Sequence, residues 1–227
     1  MNDAWHTPLE CVELLIDALN HFRADGDPMD GSSFVATALV SLGQTRPPTA
    51  AAFAAAARAI ARWSRRDAAV CGVGGRAHAG GRRVTVAAIH ALKHLLCAGG
   101  GEAFVLLENE NAPRDGEKAD ASPLGAALRA AREISADAAG DPCRAVRRAG
   151  ASLAFALEWR FGGSAGPARA LALATLACKA EPSAGARADV LWDARDAFRA
   201  RGGARAAATA WAEAAGSSPD GRALAHW

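Results

Sequence analysis

The sequence contains no tyrosine, and almost all of its basic residues are arginine. Lysine occurs only at Lys93, Lys118 and Lys179. Scarce lysine and tyrosine together are typical of a GC-rich coding sequence, so abundant arginine is weak support for a nucleic-acid partner. The adjacent arginines form short pairs without the interleaved aromatics of a base-stacking surface. Since the formal net charge is only +2, we expect no nucleic-acid partner.

Long apolar runs and paired cysteines are also missing. No stretch reaches the roughly eighteen uninterrupted apolar residues that span a bilayer, and the apolar run Leu14 to Ile16 is too short for a signal segment. The five cysteines are odd in number, widely scattered and form no CxxC pair. Such cysteines are typical of free thiols in a reducing compartment. These absences predict a cytoplasmic protein.

Alanine dominates the hydrophobic share, which is 51% of the chain. It is the best intrinsic helix former, because its side chain loses no conformational entropy in a helix. Glycine and proline divide the chain into short helical stretches, and short loops between helices favour antiparallel neighbours. We therefore predict an all-α fold of antiparallel helical hairpins, stacked as a repeat-like array or a bundle.

Helix starts are marked where a capping side chain stands beside a proline. In the first of these signals Thr7 is expected to cap the helix while Glu10 reaches back to it. A second helix should follow Ser32 or Ser33, contain Phe34, Ala38 and Leu42, and end at Gly43. The capping and proline signals are Thr7-Pro8, Pro47-Pro48-Thr49, Ser122-Pro123 and Asp141-Pro142.

A glycine-rich segment at residues 71–83 interrupts the helical pattern. It predicts either a mobile loop or a turn between two short strands, near 69–73 and 84–86, with helix resuming from about Thr85 to Cys97. A phosphate-binding loop would need GxxxxGK[ST], and no such lysine is present. The glycines do not complete a dinucleotide-binding GxGxxG either.

Three regions are predicted along the chain. Residues 1–108 form an N-terminal helical region that contains the glycine-rich loop. Residues 109–121 are polar and acidic, with Pro113 and Gly116, which is typical of a linker. Residues 122–227 form a helical-hairpin region, with helices expected from about 123 and 142 and over about 167–180, 186–201 and 203–215.

Two segments of this last region share one pattern of large, small and aromatic residues that ends in proline. Its members are Ala154, Leu157, Phe161, Ala165, Ala170, Ala174, Ala177 and Pro182 in the first segment, and Leu191, Ala194, Phe198, Gly202, Ala207, Trp211, Ala214 and Pro219 in the second. The pattern resembles the tetratricopeptide repeat, in which small residues mark where helix B crosses helix A. The closing prolines are three residues further apart than the family's usual period, and Glu158 and Arg195 replace its small residue on helix A.

The tetratricopeptide resemblance implies a non-catalytic scaffold or adaptor that binds another protein and needs no cofactor. It implies contacts from the concave face of the two-helix units, at Leu157, Arg160, Arg195 and Arg199. An alanine-rich bundle without true repeats is the alternative interpretation of the same alanines.

A second resemblance concerns the helix at residues 57–68, the amphipathic helix that ends at Cys97, the apolar turn 102–107 and Arg201-Gly202-Gly203. Together they look faintly similar to Bcl-2-type helical bundles, although the Asn-Trp-Gly-Arg sequence of that family is absent. This resemblance implies capture of an amphipathic helix in an apolar groove.

His90, His94 and Cys97 have the spacing of metal ligands, because positions i, i+4 and i+7 share one face of a helix. They suggest a further alternative, a small metal-dependent hydrolase. However, Ala91 stands where an HExxH site needs its glutamate. A fourth ligand would have to come from Cys71 or His78, so we expect no bound metal.

Overall fold

The computed structural model describes residues 6–22, 28–64, 79–97 and 122–181, and in addition residues 183, 185–187, 189, 190 and 193. No strand occurs in this part of the chain, which confirms the predicted all-α fold of packed helix pairs there. The helices are α1 Leu9–His21, α2 Pro28–Gly43, α3 Ala50–Ser64, α4 Ala79–Cys97, α5 Pro123–Ala139, α6 Arg144–Phe161 and α7 Gly166–Ala180, with a 3-10 helix at Gly163–Ala165.

Contacts group the chain into two compact units, Met1–Asp137 and Ala138–Trp227. The predicted linker 109–121 lies outside the described residues, and so do the expected helix over 203–215 and most of the one over 186–201. The three-part division of the chain therefore stays a prediction.

In the first unit, α4 packs against both α2 and α3, and α1 packs against the same two helices. One face of α3 is buried, with Phe53, Ala57 and Ile60 between 0% and 4% exposed. Trp63 lies beside them at 2% exposure. Arg58 is on the exposed side of the helix, as its spacing predicts. An amphipathic helix of this kind gains its stability from the apolar face that it buries.

The C-terminal end of α2 approaches α4 very closely. A β-carbon at Gly43 would lie 2.5 Å from Ala91 Cα and 2.6 Å from the Ala91 carbonyl oxygen. Only glycine leaves room for the backbone of α4 at this point. Gly43 therefore ends α2 as predicted and also sets the distance between the two helices.

The first helix begins at the predicted place but without the predicted cap. Pro8 occupies the N-cap position, and no side chain caps the helix. The hydroxyl of Thr7 instead accepts a hydrogen bond from the Arg46 amide at 2.9 Å, and the Thr7 amide donates to the Arg46 carbonyl at 3.0 Å. Thr7 thus ties the start of α1 to the chain that follows α2, a contact between residues far apart in sequence.

The second helix begins earlier than predicted, at Pro28, and Ser32 and Ser33 lie inside it. A proline suits the first helical turn because its missing N–H would be unpaired there anyway. Leu42 is fully buried and Ala38 nearly so, but Phe34 is 52% exposed and stacks on Phe22 with ring centroids 5.4 Å apart. Phe34, Ala38 and Leu42 therefore belong to α2 as predicted, but Phe34 does not share the buried face of the other two.

The predicted strand near residues 84–86 is also wrong, because these residues belong to α4. The helix begins at Ala79, six residues before the expected start, and includes the buried Gly80 and Gly81. Glycine costs a helix about 1 kcal/mol per residue relative to alanine. The buried series Val84, Ala88 and Leu92 continues the helical period and offsets that cost.

The capping predictions hold at α3 and α5. The Thr49 hydroxyl accepts from the Ala52 amide at 3.1 Å, and the Ser122 hydroxyl accepts from the Gly125 amide at 3.0 Å. Before α6, the Asp141 carboxylate accepts from the Cys143 amide at 2.8 Å, and the helix begins at Arg144, two residues later than expected.

Candidate functional site

The α6–α7 hairpin occupies the segment in which the sequence predicts partner binding. The two helices pack against each other, and α6 directs Val146, Leu153 and Leu157 into the interior, each at most 1% exposed. On α7 the alanines at the predicted crossing points, Ala170 and Ala174, are fully buried. Small residues at such points allow two helix backbones to approach closely.

Glycines make the turn between these helices possible. A β-carbon at Gly162 would lie 2.3 Å from the Glu158 carbonyl oxygen, and one at Gly166 would lie 2.2 Å from the same atom. Gly163 has a φ of 60°, a conformation that glycine adopts without strain. The Glu158 carbonyl therefore lies at a close approach of the two helices, and glycine is required both at Gly162, which caps α6, and at Gly166, which begins α7.

The four predicted contact residues differ in their exposure and in whether the structure describes them. Leu157 is 1% exposed and belongs to the interior of the hairpin, so in this conformation it packs α6 and presents no surface to a partner. Arg160 is exposed near the C-terminal end of α6. Arg195 and Arg199 lie outside the described residues. Of the four, Arg160 is thus the described residue that a partner could reach.

A set of ion pairs, which no spacing in the sequence predicts, joins α6 to residues after α7. We call it the acid–arginine clasp, and it consists of Arg144, Arg147, Arg148, Glu181, Asp189 and Asp193. The three arginines occupy positions i, i+3 and i+4 of α6, which lie together on one side of a helix. Asp189 and Asp193 have the same i, i+4 relation in the following helical segment.

Arg147 forms the innermost part of the clasp. Its guanidinium donates to both carboxylate oxygens of Glu181, at 3.0 and 3.2 Å, and to the carbonyls of Asp141 and Pro142 at 3.0 and 2.9 Å. The Glu181 side chain is only 6% exposed. A carboxylate this buried needs a charged partner, and the planar fork of arginine supplies two parallel hydrogen bonds.

Arg148 forms the outer part together with Arg144. The Arg148 Nε donates to Asp193 Oδ2 at 2.6 Å, and its Nη2 donates to Asp193 Oδ1 at 3.0 Å. Its Nη1 also lies 3.4 Å from Asp189 Oδ2, which pairs with Arg144 as well. The two arginine side chains are 41% and 50% exposed, so water and salt reach these pairs.

The carboxylates stabilise the charged form of the two central arginines. The hydrogen bond to Glu181 raises the pKa of Arg147 above its usual value, although burial acts in the opposite direction. Asp193 raises the pKa of Arg148 in the same way, again against the effect of burial. Both guanidiniums therefore stay charged at every physiological pH.

The described residues that carry Asp189 and Asp193 are helical, and the apolar ones among them are buried. The Ser183 hydroxyl accepts from the Ala186 amide at 3.2 Å, as a capping residue does. Ala186 and Val190 are 2% and 4% exposed. Arg187 donates to the Glu181 carbonyl at 3.1 Å. The described residues 185–187, 189, 190 and 193 are therefore helical, and their two aspartates pair with arginines of α6.

The histidines of α4 do not form a metal centre with other described residues. His94 is exposed, while His90 and Cys97 are partly buried. No group of three potential ligands that could hold a metal ion occurs in the part of the chain that the structure describes. Cys71 and His78, the possible additional ligands, lie outside that part.

The segments behind the Bcl-2-type resemblance are described only in part. Residues 57–64 lie within α3 and the helix that ends at Cys97 is α4, whereas 65–68, 102–107 and Arg201-Gly202-Gly203 lie outside the described residues. No helix in the described ranges is both long enough and apolar enough to cross a bilayer.

Comparison with known proteins gives no relative. No protein-family model matches the chain, and neither a curated protein nor a solved structure matches it. The candidate site therefore consists of the α6–α7 hairpin with its clasp, and its role has to be argued from its own geometry.

Proposed function

We propose that the chain is a non-catalytic scaffold that binds another protein through its C-terminal helical hairpins. The observation that carries this proposal is the double contact of α6. Its apolar face packs on α7, and its arginine face is tied to residues 181–193. In stacked helical hairpins, the first helix of one unit contacts both its own partner helix and the next unit.

The hairpin also has the close helix approach that such units require. Gly162, Gly166 and the buried Ala170 and Ala174 bring the backbones of α6 and α7 together. A rigid hairpin of this kind holds its exposed side chains in a fixed arrangement, and fixed side chains lose little entropy when a partner binds. Arg160 is our candidate for such a contact, because it is exposed on the helix that both neighbours hold.

Site-specific photocrosslinking tests this proposal. A photoreactive phenylalanine analogue is placed at position 160 and, as the control, at position 58, which is exposed on α3 in the first unit. We expect a discrete crosslinked adduct in extracts of the native host from position 160 and none from position 58. Circular dichroism should verify that both variants keep the wild-type helix content.

Two results would contradict the proposal. Equal adducts from positions 58 and 160 would indicate non-specific encounters, and no adduct at 160 would place any partner elsewhere. Arg160→Glu provides a second readout, because it should abolish recovery of the same partner by the otherwise unmodified protein.

A further inference from the structure

The two most exposed large apolar side chains in the described part of the chain are Leu14 on α1 and Leu176 on α7. They are 71% and 63% exposed, whereas Phe34, the next in order, is 52% exposed and stacks on Phe22. Single exposed leucines are common on protein surfaces and indicate nothing by themselves. The charges that surround these two leucines, however, are opposite in sign.

Leu14 lies on an acidic helix. Helix α1 contains Glu10, Glu13 and Asp17 and no lysine or arginine. Glu10 and Asp17 stand four residues before and three residues after Leu14, so they lie on the same side of the helix as Leu14. All three acids are exposed, and none forms an ion pair with another described residue. The surface of α1 around Leu14 is therefore negatively charged.

Leu176 lies on a basic helix. Helix α7 contains Arg169 and Lys179 and no acidic residue. They stand seven residues before and three residues after Leu176, which places both on its side of the helix, and both are exposed. Arg169 Nη1 lies 3.7 Å from Glu158 Oε2, but the Arg169 side chain is still 64% exposed. The surface of α7 around Leu176 is therefore positively charged.

Charge decides which of these two faces can pair. Two copies of the α1 face, or two copies of the α7 face, would bring like charges together, which is unfavourable. The α1 face of one molecule and the α7 face of another combine opposite charges around two apolar side chains. Helix α3 is also basic, through Arg58 and Arg62, but none of its described large apolar side chains is exposed. Of the described helices, α7 therefore matches α1 in both charge and exposed apolar surface.

We propose that the chain associates head to tail with copies of itself: the acidic face of α1 in one molecule binds the basic face of α7 in the next, with Leu14 against Leu176. This concerns α1 and α7 and does not rest on the partner binding proposed for Arg160. The contact is heterologous, because it joins two different faces, so molecules can link into rings or chains. A single pair of helix faces buries less than the roughly 1,200 Å² of a standard interface, and the association is therefore weak and reversible.

Sedimentation velocity of the full-length protein tests this association. In 0.1 M sodium chloride we expect the average mass to rise with protein concentration over roughly 0.01 to 1 mM, the range of a weak interface. In 1 M salt the screening length falls from about 10 Å to about 3 Å, so the same solutions should contain more monomer. A pure monomer at every concentration in low salt would overturn the proposal.

Two serine variants identify the faces that bind. Leu14→Ser and Leu176→Ser each remove one exposed apolar side chain, and each alone should weaken association about tenfold or more. An equal mixture of the two should form a dimer, because the first variant retains an intact α7 face and the second an intact α1 face. Val40→Ser, at an exposed apolar position of α2, should associate like the wild type. Circular dichroism should verify that all three variants keep their helix content.

The same variants can contradict the pairing of α1 with α7. If Leu14→Ser weakened association and Leu176→Ser did not, α1 would bind a different surface. A mixture of the two variants that associated no better than either alone would also rule out the head-to-tail contact.

Charge reversal gives a readout that leaves both leucines in place. Lys179→Glu sets a carboxylate against the acids of α1 and should weaken association in 0.1 M salt by about threefold to tenfold. Arg58→Glu makes the same change of net charge on α3 and should leave association as it is. Equal effects of the two reversals would show that net charge, and not the α7 face, controls association. Wild-type association of Lys179→Glu would contradict the proposal as well.

Discussion

In the first unit, α4 packs against both α2 and α3 and contributes fully buried apolar side chains such as Ile89 and Leu92. In the second unit, α6 directs one apolar face toward α7 and ties its arginine face to residues 181–193. The first unit therefore relies on larger apolar side chains, whereas the second unit adds ion pairs to the packing of its hairpin.

The difference follows from the side chains available at each contact. The described buried positions of α7 are Gly166, Ala170 and Ala174. Burial contributes roughly 25 cal/mol per Å² of apolar surface, so such small residues contribute less than Trp63 or Leu92 do. Small residues permit a close approach of α6 and α7, and the arginine–carboxylate pairs add directional contacts between α6 and the residues after α7.

The largest effect is expected at Trp63, in the apolar unit. Its ring is 2% exposed, and its Nε1 has no hydrogen-bond partner among the described residues. Trp63→Ala should lower the free energy of unfolding by about 3 to 5 kcal/mol in urea denaturation, because it leaves a large cavity. Trp63→Phe should cost much less, since it also removes the unpaired N–H. Arg58→Ala, at an exposed position of the same helix, should stay within about 0.5 kcal/mol. Similar losses of stability for Trp63→Ala and Arg58→Ala would show that buried apolar side chains do not stabilise the first unit.

A smaller but clear effect is expected at Arg147 in the charged unit. Arg147→Ala leaves the buried Glu181 carboxylate and two carbonyl oxygens without their donor, and should cost about 2 to 3 kcal/mol. Arg144→Ala removes only an exposed pair and should cost at most about 1 kcal/mol. Arg147→Lys should not rescue stability, because an ammonium cannot reproduce the planar fork. Chemical denaturation of the three variants would contradict this ranking if Arg144→Ala proved as harmful as Arg147→Ala.

The next test compares two glycines of the second unit. A β-carbon at Gly166 would lie 2.2 Å from the Glu158 carbonyl oxygen, whereas one at Gly185 would meet nothing within 4 Å. Gly166→Ala should therefore cost about 1 to 3 kcal/mol through overpacking. Gly185→Ala should be neutral or stabilise by up to about 1 kcal/mol, since it lowers the entropy of the unfolded chain. The melting temperatures of the two variants test this difference. If both variants melt at the same temperature, the hairpin is not closely packed at its turn.

The smallest effect is expected at His94, on the exposed side of α4. If the first unit depends on its buried faces, His94→Ala should change stability by no more than about 0.5 kcal/mol. We also expect elemental analysis of the purified protein to find no stoichiometric zinc. Equimolar zinc that is lost in His94→Ala would instead support the metal-dependent hydrolase.

Local signals in the sequence were sufficient for the fold class and for several helix starts. Alanine content and helical spacing predict helices directly, and Thr49 and Ser122 cap α3 and α5 as expected, because a cap involves only residues within one turn. The end of α2 at Gly43 and the extent of α7 are local in the same sense, and they too were predicted closely.

What the sequence left undecided depends on partners that are distant along the chain. Thr7 bonds to Arg46 instead of capping its own helix, and Gly80 and Gly81 join α4 because the helix is buried there. The clasp joins Arg148 to Asp193, 45 residues away. Spacing on α6 reveals three arginines on one face, but it cannot reveal which acids meet them. Only the tertiary structure decides that pairing, because the turns at Gly163 and after α7 determine where the chain returns.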